Sequence, residues 1–192
     1  AGGLLGFSIG PALRQTIWFY LLFAAVALVF HRFLFVCAGT FTGSAGRSFQ
    51  TLGTALIFFY GLNEILFRVT HLLWGHTINL NDTALVSLDL LNAAPAATVL
   101  ALVVLAPFIE EVLLRGFLFG WLRQHSRAAA YLVTCILFAL LHTWAMAGDH
   151  FTLYYLLIAL QYAVPGLIFA WAYDRSDSIW IPIAAHAAVN AL

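Results

Sequence analysis

The chain has 192 residues, of which 64% are hydrophobic and 16% aromatic, while only 8% are charged. An ordinary soluble domain is about 45–50% apolar and about 25% charged, so a soluble enzyme and a disordered tail are excluded. Eight Arg, no Lys and eight acidic residues give a formal net charge of zero, which leaves no basic face for a nucleic acid.

The pattern predicts an all-α polytopic membrane protein, a single transmembrane domain over residues 1–192 with a motif-bearing core from about 96 to 192. A helix crossing the hydrocarbon core needs ~20 mostly apolar residues. Six stretches come close, at about 16–38, 51–74, 96–121, 128–147, 152–173 and 179–192. The runs are too long for membrane strands, which would alternate over ~10 residues. Between the second and third spans, Asn81 or Asp82 could cap a helix with Leu85, Leu88 and Leu91 on one stripe, lying on the membrane surface. Arg47, Arg123, Arg127 and Arg175 flank alternate connections. The positive-inside rule then puts loops one, three and five in the cytoplasm. Cys37 and Cys135 sit in apolar runs and read as buried free thiols.

Ionisable residues inside a span are costly and usually mark function. The second span carries Asn63, Glu64, Arg68 and His71, which read as a self-neutralised stripe. The third carries Pro107, Glu110, Glu111 and Arg115. Glu111 and Arg115 are four apart in the favourable acid-first order and should pair. Glu110 has leucines at those spacings, so its partner must come from another helix or from water. Pro107 removes a backbone donor and frees the carbonyl of Val103, which loosens the turn beneath the acids. In the fourth span Phe138 and His142 share a face, and in the sixth His186 and Asn190 do. Singly, each has a bland explanation as packing or glue. Together, Glu110, His142, His186 and Asn190 could converge on one polar cavity in the membrane, built by spans three, four and six.

Glu110-Glu111-x-x-x-Arg115, Phe138-x-x-x-His142 and His186-x-x-x-Asn190, in that order, resemble the three motifs of the CAAX protease and bacteriocin-processing (Abi) family of intramembrane glutamic endopeptidases. The type II CAAX prenyl endopeptidase is its eukaryotic branch, and the resemblance spans about 99–190. It implies that Glu110 and His142 position and activate a water, and that His186 and Asn190 stabilise the tetrahedral oxyanion. Glu111, Arg115 and Phe138 take supporting positions, and neither a metal nor a cofactor is required. The implied substrate is a prenylated CAAX peptide or another membrane-associated peptide, and the implied setting is the lipid bilayer. Many Ala and Arg with no Lys favour a prokaryotic cell membrane; a eukaryotic chain would lie in an ER-type membrane.

Two other readings stay open. A metal-dependent membrane hydrolase could use Glu110, Glu111, His142 and His186 as ligands, although His-Glu-x-x-His is absent from the sequence. A catalytically silent scaffold or bacteriocin-immunity-type protein could keep the same fold.

Overall fold

The computed structural model describes residues 11–74, 95–143 and 153–191. The expected surface helix around Asn81 and Asp82 lies outside these residues. The described residues form seven helices: α1 (Pro11–Val29), α2 (His31–Gly43), α3 (Ala45–Trp74), α4 (Pro95–Leu122), α5 (Arg127–Thr143), α6 (Leu153–Ser176) and α7 (Trp180–Ala191). No strand occurs among them.

Three of these helices, α3, α4 and α6, are long and apolar enough to cross a membrane. The apolar helix α5 has 17 residues and α7 has 12. The first expected span, 16–38, is broken, because α1 and α2 meet at a 75° bend. Phe30 turns the chain there, with φ −99° and ψ 11°. The ring of His31 closes the end of α1 by donating from Nδ1 to the carbonyl of Leu28 at 2.7 Å. Neither Pro nor Gly lies at the bend, so the apolar run conceals it. The six expected spans thus become three full-length helices, one bent pair and two shorter helices.

Helix α1 runs beside α4, with Phe23 against Phe108 and Phe30 against Phe117. Past the bend, α2 crosses α4 at Gly116. A Cβ there would come within 2.8 Å of the Phe33 ring, so the glycine permits the approach. From the other side, Ser178 Oγ and Trp180 Nε1 donate to the carbonyls of Cys37 and Leu34 in α2. At the same end, Arg123 pairs with Asp177 at 3.1 Å, while Arg127 and Tyr131 both hold Asp174. These contacts bring the third and fifth connections together.

Two apolar cores result. One gathers Val26, Leu34, Phe108, Val112, Phe119 and Ile179; the other gathers Ala55, Phe59, Leu114, Phe138, Phe169 and Ile181. Helix α4 contributes to both, so its polar residues lie at the centre of the bundle. Helices α5 and α6 pack closely at Gly166, where a Cβ would lie 3.3 Å from Cβ of Phe138 and 3.4 Å from the backbone of Cys135. The Cys135 thiol donates to the carbonyl of Ala163 across the same seam. Large apolar side chains such as Leu28, Phe35, Ile57 and Leu72 face outward, as a lipid-facing surface requires.

Candidate active site

The site begins with an irregularity in α4. An α-helical segment, Ala106–Glu111, is held between two π-helical segments, Ala101–Leu105 and Val112–Phe119. Such segments are rare and often occur at functional sites. Pro107 explains much of the first. Ala106 N–H bonds the carbonyl of Ala101, five residues back. In that register the next donor would be residue 107, which as proline has no N–H. The orphaned carbonyl is therefore that of Leu102, one residue before the Val103 expected from an α-helical register.

Asn190 of α7 supplies the missing donor, with Nδ2 bonding the Leu102 carbonyl at 3.0 Å. Asn190→Ala removes it. The variant is expected to lose about 1 kcal/mol of stability, the net worth of a part-buried hydrogen bond. Equilibrium unfolding in a denaturing detergent mixture checks this, and Asn190→Asp, which lacks the amide donor, should not restore it.

Glu111 and Arg115 are completely buried and pair at 3.0 Å. A buried arginine needs more than one carboxylate. It also donates from Nη2 to the carbonyl of Gly166 at 2.9 Å, and its guanidinium lies 4.6 Å from the centre of the Phe138 ring. The bond to Gly166 draws on the same close seam between α5 and α6. His186 reaches the other side of the carboxylate, with Nδ1 2.9 Å from Glu111 Oε1. A carboxylate paired with Arg115 accepts, so Nδ1–H donates and Nε2 is left for other chemistry. The ring of His186 is stacked on Phe169 at 4.7 Å.

Glu110 points elsewhere, as its helix position requires. Its Oε2 lies 3.7 Å from Nε2 of His142, and the two side chains are 27% and 26% exposed. This is the open edge of an otherwise closed cluster. The imidazole is oriented by a bond between Nδ1 and the carbonyl of Phe138 at 2.9 Å. A carbonyl only accepts, so in neutral His142 the proton is on Nδ1 and the lone pair of Nε2 faces Glu110. Glu110 Oε2 is buried without a hydrogen-bond partner, as are Glu111 Oε2 and Arg115 Nε.

With Glu111, the four residues expected in one pocket form two linked pairs and a brace. Glu110 meets His142, His186 meets Glu111, and Asn190 reaches the backbone of α4. Phe138 joins the pairs, with its ring 4.5 Å from His142 and 5.5 Å from His186. Tyr162 and Phe169 lie outside the three motifs. The sequence marks Tyr162 only by its place beside Gln161, just before Pro165 in an apolar run, and does not mark Phe169. Among the described residues, no group of three or more His, Cys, Asp or Glu is arranged to hold a metal. Glu64 and Arg68 pair with each other at 2.6 Å on the exposed side of α3.

Residues 92–192 match the family model described as type II CAAX prenyl endopeptidase Rce1-like. The chain is also 31% identical over 104 residues to "Putative membrane peptidase YdiL" of Bacillus subtilis (strain 168). That match covers 54% of this chain and 38% of the relative, so the chain spans well under half of the relative's length. No solved structure matches.

Proposed function

Because the chain belongs to the type II CAAX prenyl endopeptidase Rce1-like family, we propose that it is an intramembrane endopeptidase whose nucleophile is a water activated by Glu110. The protein is an integral, multi-pass membrane protein. The observation that carries the proposal is the facing pair Glu110 and His142. Two acceptors 3.7 Å apart, one a buried carboxylate oxygen without a donor, suit a single water that donates to both.

In this scheme Glu110 takes one proton of the water as its oxygen attacks the scissile carbonyl. His142 Nε2 holds the other proton and orients the attack. The new C–O bond pushes charge onto the carbonyl oxygen. Asn190 still has a second amide N–H to offer that oxyanion. His186 can also donate, when both of its nitrogens carry protons: Nδ1–H stays on Glu111 and Nε2–H turns to the oxyanion. Arg115 offsets the charge of Glu111, so the carboxylate orients His186 without adding a net negative charge beside the developing anion. Collapse of the intermediate breaks the C–N bond, and Glu110 returns its proton to the leaving amine.

The substrate we propose is a prenylated CAAX peptide or another membrane-associated peptide. The purified protein, in phospholipid vesicles, is incubated with a farnesylated CAAX peptide and, separately, with an unprenylated transmembrane peptide. Mass spectrometry reads the cleaved bond. Cleavage of at least one peptide, unchanged by a chelator, is the expected result. Loss of cleavage with the chelator and its return with zinc would establish a metal-dependent hydrolase instead. Intact peptides in every arm would favour the silent scaffold.

A further inference from the structure

Tyr162 is absent from the motifs, yet its ring makes the stacked contact on the imidazole that faces Glu110. Its ring is stacked on that of His142 at 4.7 Å between centroids and 20° between planes. Phe138 lies 4.5 Å from the same imidazole at 33°. The imidazole thus meets two rings, one stacked on it and one tilted against it. Its nitrogen-bearing edges are taken up by polar contacts. One edge is fixed by the carbonyl of Phe138, and the other presents Nε2 to Glu110.

The backbone explains how Tyr162 arrives there. It lies in the turn before Pro165, which removes the helical donor to the carbonyl of Gln161 and loosens α6 at this level. One residue later, Gly166 lets α6 approach α5 to ordinary or tighter contact with Cys135 and Phe138. The thiol of Cys135 and the guanidinium of Arg115 tie the carbonyls of Ala163 and Gly166. Residues 163–166 are thus bonded to α4 and α5 on both sides of the site. Tyr162, immediately before them, is delivered onto His142 with little freedom to move away. The imidazole itself lies at the open edge and is a quarter exposed. Without a second ring, its χ angles would be set only by Phe138 and one backbone hydrogen bond.

We propose that Tyr162 is a positioning residue, whose ring, rather than its hydroxyl, keeps the His142 imidazole oriented with Nε2 toward Glu110. The proposal rests on the reading of Glu110 and His142 as the water-activating pair, but its first test needs no turnover. The full chain, labelled with 15N-histidine in detergent micelles, is compared as wild type, Tyr162→Phe, Tyr162→Leu and Tyr162→Met. In wild type and Tyr162→Phe, the His142 nitrogens should report one tautomer, with the proton on Nδ1. In the Leu and Met variants that signature should be lost or averaged, while the His186 signals stay in place as an internal control of folding. The Met side chain is unbranched and adapts to irregular gaps, which guards against a Leu variant that does not fold.

Cleavage of the farnesylated CAAX peptide gives the second readout. The Leu and Met variants should lose about 10- to 100-fold in kcat with KM little changed, the scale expected of a misplaced catalytic group. Tyr162→Phe should stay within about twofold of wild type. A Tyr162→Phe variant as impaired as Tyr162→Leu would overturn the proposal, since the hydroxyl would then carry the effect. An unchanged His142 tautomer in both ringless variants would overturn it as well. Failure of the underlying reading looks different: Glu110→Gln would then cleave normally whatever the Tyr162 variants do.

Discussion

Glu110→Gln is expected to lower kcat by about 10²–10⁴-fold, the usual contribution of a positioned general base, while the protein remains folded. The two halves of that expectation have different origins. Glutamine keeps the size and one acceptor of glutamate but cannot take a proton from water. The loss should therefore appear in the chemical step rather than in substrate binding. Stability should be nearly unaffected, because Oε2 of Glu110 has no hydrogen-bond donor to lose and its nearest basic neighbour, His142, is 3.7 Å away. Steady-state kinetics on the farnesylated peptide, with a thermal unfolding curve in the same detergent, separates the two. Full activity in this variant would remove Glu110 from the mechanism. Equal loss of activity and of folded protein would make it a structural residue.

Arg115 carries the opposite expectation. Arg115→Met should destabilise the protein by about 3–5 kcal/mol, the cost of leaving one member of a buried ion pair without the other. Both side chains are 0% exposed, and the guanidinium makes bonds to Glu111 and to the Gly166 carbonyl as well as an approach to Phe138. Removing it strands the carboxylate of Glu111 and leaves His186 as that carboxylate's remaining charged or chargeable contact. The double variant Glu111→Gln/Arg115→Met should recover a substantial part of the loss, since no uncompensated charge remains. Double-mutant-cycle analysis of unfolding free energies measures the coupling. Additive effects would show that the pair does not act as a unit. Arg115→Lys should rescue poorly, because an ammonium cannot span the carboxylate and the carbonyl in one plane or lie as a flat cation over Phe138.

Much of this architecture could be read from the residues, for reasons that differ along the chain. The pairing of Glu111 with Arg115 and the shared face of Phe138 and His142 follow from helical spacing, which is local. The same spacing showed that Glu110 must look to another helix. It could not say which one, because the contact with His142 depends on how α4 and α5 pack. The partner of His186 was equally hidden. Its bond to Glu111 rather than Glu110 depends on the rotation of α7 against α4, which no periodicity within α7 specifies. The first span misled because apolar character runs through the bend at Phe30 and the polar His31 and Arg32 are a weak marker. The freed carbonyl moved from Val103 to Leu102 because π-helical winding shifts the acceptor by one residue, and Pro107 alone does not announce that winding. Tyr162 was concealed by chemistry: in an apolar helix a tyrosine reads as an interfacial or packing residue, and only the tertiary fold puts its ring on an imidazole.

The helix that turns aside after Phe30 has a wider bearing. It supplies the carbonyls gripped by Ser178 and Trp180, and its Phe33 rests on Gly116, one residue beyond Arg115. The element carrying His186 and Asn190 is therefore moored to a part of the polypeptide that lies outside the family-matched portion and holds none of the motif residues. That remote crossbar acts as a jig: its two hydrogen bonds help hold the last helix lengthwise against Glu110 and Glu111. A substitution in the amino-terminal third is thus expected to shift His186 relative to Glu111 while every motif residue is retained.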